Sequence, residues 1–171
     1  KDIMFWYEDI ALNKEYSPRI PDILKYKGQL IEVKAPDKYT VRFEFPGPAP
    51  FFIYELLDMN YLRYPKHYFK QYHPKYTEDE ELNKLLRSNK VDNWVQLIDK
   101  KKVVTKNSKI PVLSAWRVTG EKRASMYVAE RNPYYYKVDP EGNQLPYIDK
   151  ITWPSSPPAG YVRQLKVMNG Q

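Results

Sequence analysis

Glu130-Arg-Asn-Pro-Tyr-Tyr-Tyr-Lys-Val-Asp-Pro-Glu-Gly-Asn-Gln-Leu-Pro-Tyr-Ile-Asp-Lys-Ile-Thr-Trp153 is the stretch from which the fold can be read. A strand runs into Glu130 and Pro133 stops it, because proline has no backbone N–H to give to a ladder. Asp139-Pro140-Glu141-Gly142 has the order of a type I turn: Asp first, Pro presetting φ at the second position, Gly last. Pro146 fixes the exit, and Tyr147 to Trp153 alternates as a returning strand does. The stretch is a scaffold, with no obvious catalytic group in it.

Upstream, Val112 to Thr119 and Ser125 to Glu130 have strand character on either side of Gly120-Glu121-Lys122-Arg123, which has the composition of a charged turn. A second hairpin is expected earlier: Leu30 to Lys34 and Tyr39 to Phe45 flank Ala35-Pro36-Asp37-Lys38. Tyr39, Val41, Phe43 and Phe45 alternate with Thr40, Arg42 and Glu44, the pattern of one buried face. Helices are expected between and around these strands. Asp2 is placed to cap one in which Ile3, Trp6, Tyr7 and Ile10 share a face, with Glu8 and Asp9 on the other. Phe51 to Leu57 is a short apolar helix, and Pro65 opens a further one that ends before Pro74. Thr77-Glu78-Asp79-Glu80 has the capping-box spacing ahead of Leu82, Leu85 and Leu86. Asp92 or Asn93 caps a helix through Trp94, Val95, Leu97 and Ile98. Pro154 to Gly160 is the clearest break in composition, and Tyr161 to Met168 regains helical spacing beyond it. No internal repeat is evident.

A chain of 171 residues suits one domain, since a chain near this size hides roughly 70% of its unfolded surface. No apolar run approaches the roughly 20 residues of a spanning helix. The 16 Tyr and 15 Pro against 6 Gly imply wide amphipathic packing surfaces joined by stiff turns. The absence of Cys excludes disulfides and thiolate metal sites. A net charge of +7 raises nucleic acid, an anionic surface or an acidic partner as possibilities, but the cations are spread among carboxylates as on an ordinary solvated face. The chain starts at Lys1 and enters Asp-Ile-Met-Phe-Trp-Tyr at once, an apolar start expected of a piece of a longer protein.

Chemistry-bearing patterns are scarce. His67 and His73 lie six apart rather than four, and no carboxylate completes a zinc pattern, so neither a metal nor a cofactor is expected. No nucleophile elbow, phosphate-binding glycine loop or dinucleotide fingerprint is present. Glu78 to Glu81 sit where a helix start favours carboxylates without any acid–base role. An enzyme is therefore not expected. Tyr61, Tyr64, Tyr68, Phe69, Tyr72 and Tyr76 recur at three- and four-residue intervals. Peptides and sugars are often held on aromatic faces, which makes Tyr61, Tyr64, Tyr68 and Tyr72 the candidate ligand-binding residues; core packing is the competing explanation. Lys100-Lys101-Lys102 through Lys106 and Lys109 supplies the charge for the alternative, a basic domain that binds nucleic acid or an anionic surface.

The residues also carry a resemblance. Glu130-Arg-Asn-Pro-Tyr-Tyr-Tyr-Lys137 resembles the Glu-Arg-Asn-Pro-x-Tyr-Trp pattern of family 5 extracellular solute-binding proteins, the peptide, nickel and oligosaccharide receptors of ABC importers. Asp139 to Ile151 is similar to an extension found in a subset of that family that includes sugar-binding members. Lys1 to Ile10 resembles the family's Asp-Val-x-Phe-Ser-x-Glu helix, Tyr39 to Phe51 its Thr-Val-x-Phe strand and Pro-x-Pro-Phe, Pro65-Lys-His its Pro-Lys-His segment, and Tyr161 to Gln171 the helix ending in Asn-Gly-Glu. Ile110 to Trp116 differs from the family's Gly-Thr-Gly-Pro-Tyr entry, and Pro154 to Gly160 is richer in proline than the usual link.

The resemblance implies an α+β fold, a small antiparallel sheet with packed helices, forming the subdomain inserted in the first lobe of a two-lobed periplasmic-binding-protein-like receptor. It implies a subdomain over 1–153, a proline-rich link at 154–160 and a terminal helix over 161–171 leading toward a second lobe. It implies a monomeric parent in the periplasm, or lipid-anchored at the cell surface. Such a parent captures a peptide or oligosaccharide and delivers it to an ABC permease without chemistry. Tyr134, Tyr135 and Tyr136 are then expected to pack where the subdomain returns to its lobe.

Overall fold

The computed structural model describes residues 1–58, 63–123, 126–154, 164–165 and 168–169, without the side chains of 56–58 and 121–123. They form two compact units, Lys1–Lys102 and Val103–Gln171, dividing the stretch that the sequence groups as 1–153. Mixed helices and small antiparallel sheets make this an α+β protein, as expected.

The first unit begins with α1 (Asp2–Phe5), which runs directly into a π-helical stretch, Trp6–Ala11. Leu12 N donates to Tyr7 O at 3.0 Å, the i→i−5 bond that widens such a turn and shifts the phase of its faces. Phe5, Trp6, Tyr7, Ile10 and Ala11 are buried, and so is Asp9, which helical spacing places on the solvent side. Asp2 does not cap this helix. Its Oδ1 accepts instead from Lys66 N at 2.7 Å, satisfying one of the unpaired first-turn donors of α3 (Lys66–Phe69) from 64 residues away.

Strands β1 (Lys25–Tyr26) and β2 (Gln29–Leu30) make a small hairpin that the sequence patterning does not announce. The expected hairpin is present but shorter: β3 (Glu32–Lys34) pairs with β4 (Arg42–Glu44) in the register Val33↔Phe43. Tyr39, expected on the buried face, is 87% exposed, because Asp37 Oδ1 accepts from the Tyr39 and Thr40 amides and holds that segment in a turn. Phe43 and Phe45 pack on Phe52, the first residue of α2 (Phe52–Asp58).

Pro65 stands at the N-cap of α3, which continues as a 3₁₀ turn over Lys70–Tyr72. Next comes α4 (Asp79–Asn89), capped at Glu78 with no side-chain bond; Thr77 Oγ1 donates to Lys70 O and so does not form the expected box. A variant of the box, with its return bond one residue before the cap, occurs at α5 (Trp94–Lys101). There Asn93 Oδ1 accepts from Gln96 N at 2.9 Å, and Gln96 Oε1 accepts from Asp92 N at 3.1 Å. Leu24, Ile31, Phe69, Leu97 and Ile98 form the centre of the unit, all at most 1% exposed.

The second unit is built on an antiparallel sheet in the order β5 (Trp116–Arg123), β6 (Met126–Arg131), β7 (Lys150–Pro154). Gly120 to Arg123, expected as a turn, belongs to β5; residues 124–125 lie outside the described residues. Gly120 has φ +82° at the register shift between Val118 and Lys122, and a Cβ there would meet Ser108 Oγ at 3.0 Å. Val128 and Ala129 are the buried centre. The Asp139 turn forms as read: Gly142 N donates to Asp139 O at 3.0 Å and Gly142 takes φ +86°. The Leu145–Pro146 peptide is cis. The link at 155–160 and most of the 161–171 helix lie outside the described residues.

Candidate functional site

Of the four tyrosines singled out from the sequence, Tyr61 lies outside the described residues. The other three surround Phe69, whose ring is 5.5 Å from Tyr64, 5.2 Å from Tyr68 and 6.3 Å from Tyr72. Helical spacing brings Tyr68 and Tyr72 together, with their hydroxyls 3.5 Å apart. Tyr64 and Tyr72 are each 7% exposed and Tyr68 is half-buried, so much of this aromatic surface faces the first unit's core.

The hydroxyl of Tyr64 joins a polar cluster. Tyr16 OH donates to Asp99 Oδ1 at 2.6 Å, which leaves its oxygen to accept from Tyr64 OH at 3.1 Å and Lys102 Nζ at 3.2 Å. Lys102 also pairs with Asp99 at 2.7 Å. Burial, then the bonds to Asp99 and Tyr64, push the Tyr16 phenol far above its ordinary value. Burial and Tyr68 do the same to Tyr72. Neither phenol is therefore an acid or base near neutral pH.

A second cluster, not anticipated from the sequence, surrounds the buried Asp9. Its carboxylate accepts from Lys75 Nζ at 2.7 Å and from Tyr76 OH at 2.5 Å. Its carbonyl, in the last turn of the π stretch where the helix offers no donor, meets His73 Nε2 at 3.2 Å. Lys75 N donates to His73 Nδ1 at 3.1 Å, so the proton sits on Nε2 and the ring is a neutral bridge. Burial, opposed by the Asp9 carbonyl, holds the His73 pKa below its ordinary value. Its ring packs 4.5 Å from Trp94 and 6.0 Å from Phe5. His67 is exposed, and among the described residues no group of His, Asp and Glu is arranged to hold a metal ion.

An open depression of about 550 Å³ lies between Met4 and Glu8 on one side and Val33, Lys34, Pro36 and Arg42 on the other. Its cations are already engaged: Lys34 with Glu32 at 2.9 Å and Glu44 at 2.8 Å, Arg42 with Glu44 at 3.6 Å. The basic run expected as a loop is partly helical. Lys100 Nζ donates to Asn89 O, Lys101 Nζ lies over the Tyr72 ring and Lys102 serves the Tyr16 cluster. These protein partners compete with the phosphate contacts that the alternative reading needs.

In the second unit the Glu130-Arg-Asn-Pro segment is fixed by buried Asn132. Its Nδ2 donates to Val112 O at 3.1 Å and Ser114 O at 3.0 Å, and its Oδ1 accepts from Tyr134 N at 3.1 Å. Asn132 N donates to Ala115 O at 2.8 Å, so this one residue ties the exit of β6 to the entry of β5. The described groups amount to scaffold clusters, aromatic surface and a turn-stapled hairpin.

The whole chain, residues 1–171, matches the family described as bacterial extracellular solute-binding proteins, family 5 Middle. The chain belongs to that family. The periplasmic alpha-galactoside-binding protein of Rhizobium meliloti (strain 1021) is 31% identical over 153 residues, 88% of this chain and 20% of the relative. The structure of an oligopeptide-binding protein OppA superposes with a TM-score of 0.85 at 38% identity, over 99% of this chain and 26% of that one. The periplasmic binding protein MelB from Agrobacterium fabrum C58, in complex with stachyose, gives a TM-score of 0.69 at 26% identity, over 99% and 23%. The chain thus spans about a quarter or less of the length of these relatives. The family is one of binding proteins, and no helix among the described residues is long and apolar enough to cross a membrane.

Proposed function

We propose that this chain is part of an extracytoplasmic receptor that captures a peptide or oligosaccharide and hands it to an ABC permease, without catalysing a reaction. The observation that carries this reading is the family match over all 171 residues. The named relatives supply the ligand classes: one is an oligopeptide-binding protein, one an alpha-galactoside-binding protein, and one was solved with stachyose. The receptor acts as a monomer in the periplasm or lipid-anchored at the cell surface. The 1–153 region serves as its α+β subdomain and 161–171 leads on toward the second lobe.

In this reading the chain's part is mechanical. Asn132, the Asp139 turn and the Asp9 cluster hold fixed geometry, and lobe closure around the ligand supplies the binding free energy. Preorganised walls lower the ordering cost of binding. Tyr61, Tyr64, Tyr68 and Tyr72 are the aromatic candidates beside the ligand, with half-buried Tyr68 the better placed of the three described.

Calorimetric titration of the full-length receptor with short peptides and with α-galactosides such as stachyose tests the proposal. Saturable binding of one class is expected, with no turnover of the ligand. Failure of both classes to bind would overturn the ligand reading. The isolated chain is expected to bind either class weakly or not at all, because the opposing wall of the cleft is missing; submicromolar affinity there would overturn the division of labour.

A further inference from the structure

Two bonds tie the first helix of the chain to the segment that carries the aromatic candidates, and both span the same distance in sequence. Asp2 Oδ1 accepts from Lys66 N at 2.7 Å, and Asp9 O accepts from His73 Nε2 at 3.2 Å, in each case across 64 residues. The helical run 2–11 and the run 66–72 therefore lie side by side with the same chain direction.

The second run cannot hold this place by itself. Its α-helix, α3, has 4 residues and its 3₁₀ continuation 3, far below the roughly 12–15 at which an isolated helix becomes even marginal. Phe69, 0% exposed, anchors its middle, and two carboxylates hold its ends. At the start, Asp2 is spent on α3 and not on its own helix: it satisfies the Lys66 amide, a first-turn donor with no partner inside α3. At the far end the Asp9 carboxylate accepts from Lys75 Nζ and Tyr76 OH. Lys66 closes the circuit. Its Nζ donates to Tyr76 OH at 3.2 Å, so Asp2, Lys66, Tyr76 and Asp9 form one loop of bonds between the two runs. Tyr68 lies between the held ends, its ring 5.2 Å from Phe69 and its surface half-buried.

We infer that Asp2 is a positioning residue for ligand binding: together with Asp9 it clamps the 66–76 segment at both ends and fixes the direction in which Tyr68 meets the ligand. This rests on the proposed reading of Tyr68 as a residue beside the ligand. A side chain whose backbone is already in place loses less freedom on binding, so the clamp raises affinity without touching the ligand.

A double-mutant cycle in the full-length receptor tests the clamp, with Kd for stachyose and for a tetra-alanine peptide read by calorimetry and Tm by thermal melts. Asp2→Ala is expected to weaken the Kd of whichever probe the parent binds by about twofold to thirtyfold, the range that a side-chain acceptor at a helix start represents in an equilibrium constant. Asp2→Asn, whose Oδ1 still accepts from Lys66 N, is expected to bind as the parent does. Added to Tyr68→Ala, Asp2→Ala is expected to weaken binding no further, because its effect passes through Tyr68. A parental Kd in Asp2→Ala while Tyr68→Ala binds weakly would overturn the clamp, whether or not Tm falls. So would losses that add, or an Asp2→Asn variant as weak as Asp2→Ala. A parental Kd in Tyr68→Ala would overturn the reading of Tyr68 and the inference with it, so that one variant tells the two failures apart.

Discussion

The carboxylate of Asp9 and the ammonium of Lys75 stand 2.7 Å apart, the first on a side chain only 4% exposed and the second on one 55% exposed. The pair is therefore asymmetric. Removing Lys75 strips a screened partner from a carboxylate that keeps Tyr76, so Lys75→Ala is expected to cost about 1 kcal/mol. Asp9→Ala removes the acceptor of two bonds and leaves a cavity, for an expected loss of about 2–3 kcal/mol. Urea unfolding of the two variants checks the order; equal losses would show that the burial of Asp9 carries no weight.

His73 gives the same cluster a pH dependence. Its folded pKa lies below the ordinary 6.5 because burial disfavours the charged ring. The unfolded chain therefore takes up the proton first as pH falls. The stability from neutral His73 is fully present above about pH 6.5 and is lost as pH falls from there toward the folded pKa, at up to about 1.4 kcal/mol per pH unit. Protonation also removes the Nδ1 acceptor of Lys75 N. The groups that act on the ring are Asp9, Lys75 and Glu15. Thermal melts between pH 8 and pH 5 should show a steeper decline for the parent chain than for His73→Gln, in which that titration is absent; parallel declines would remove His73 as the source.

Tyr64 and Tyr72 offer a separation of structural from ligand roles. Tyr64→Phe deletes the hydroxyl bonded to Tyr16 and should cost about 1 kcal/mol, and Tyr72→Ala about 3–5 kcal/mol through the void beside Phe69. Ligand Kd of the full-length receptor is expected to stay unchanged in Tyr64→Phe, since that hydroxyl is spent within the first unit. A changed Kd at unchanged Tm would show that the Tyr64 hydroxyl, and not its ring alone, serves the ligand.

The sequence is legible where the deciding interactions are local. Asn93 and Gln96 cap α5 within four residues, and the Asp139 turn closes on itself, so residue types alone indicate both. Asp2 is misjudged because its partner, Lys66 N, is distant in sequence, and no cap rule sees across 64 residues. Asp9 is misjudged for a different reason: the π stretch changes the phase that a 3.6-residue wheel assumes, and Lys75 and Tyr76 make burying a carboxylate tolerable. Tyr39 continues a strand pattern that the Asp37 turn interrupts. The aromatic stripe can be found from spacing, but not which rings face inward, because Tyr16, Phe69 and Trp94 come from separate segments of the first unit.

Asn132 is the position where a conservative change should be the more harmful one. Its amide donates to two carbonyls, Val112 O and Ser114 O, while its oxygen accepts from Tyr134 N, which fixes the orientation of the side chain. Asn132→Ala removes three part-buried bonds made by a side chain that is itself buried, at an expected cost of about 2–3 kcal/mol. Asn132→Asp keeps the shape and the Tyr134 bond but points a carboxylate oxygen at both carbonyls, so repulsion and charge burial add to the same loss. Near neutral pH Asn132→Asp is therefore expected to be less stable than Asn132→Ala, and to recover toward it in acid, where a protonated carboxyl can donate to one carbonyl. Chemical denaturation of both variants at pH 7 and pH 4 reads this directly. An Asn132→Asp variant as stable as the parent at pH 7 would mean that these bonds do not hold the junction of β5 and β6.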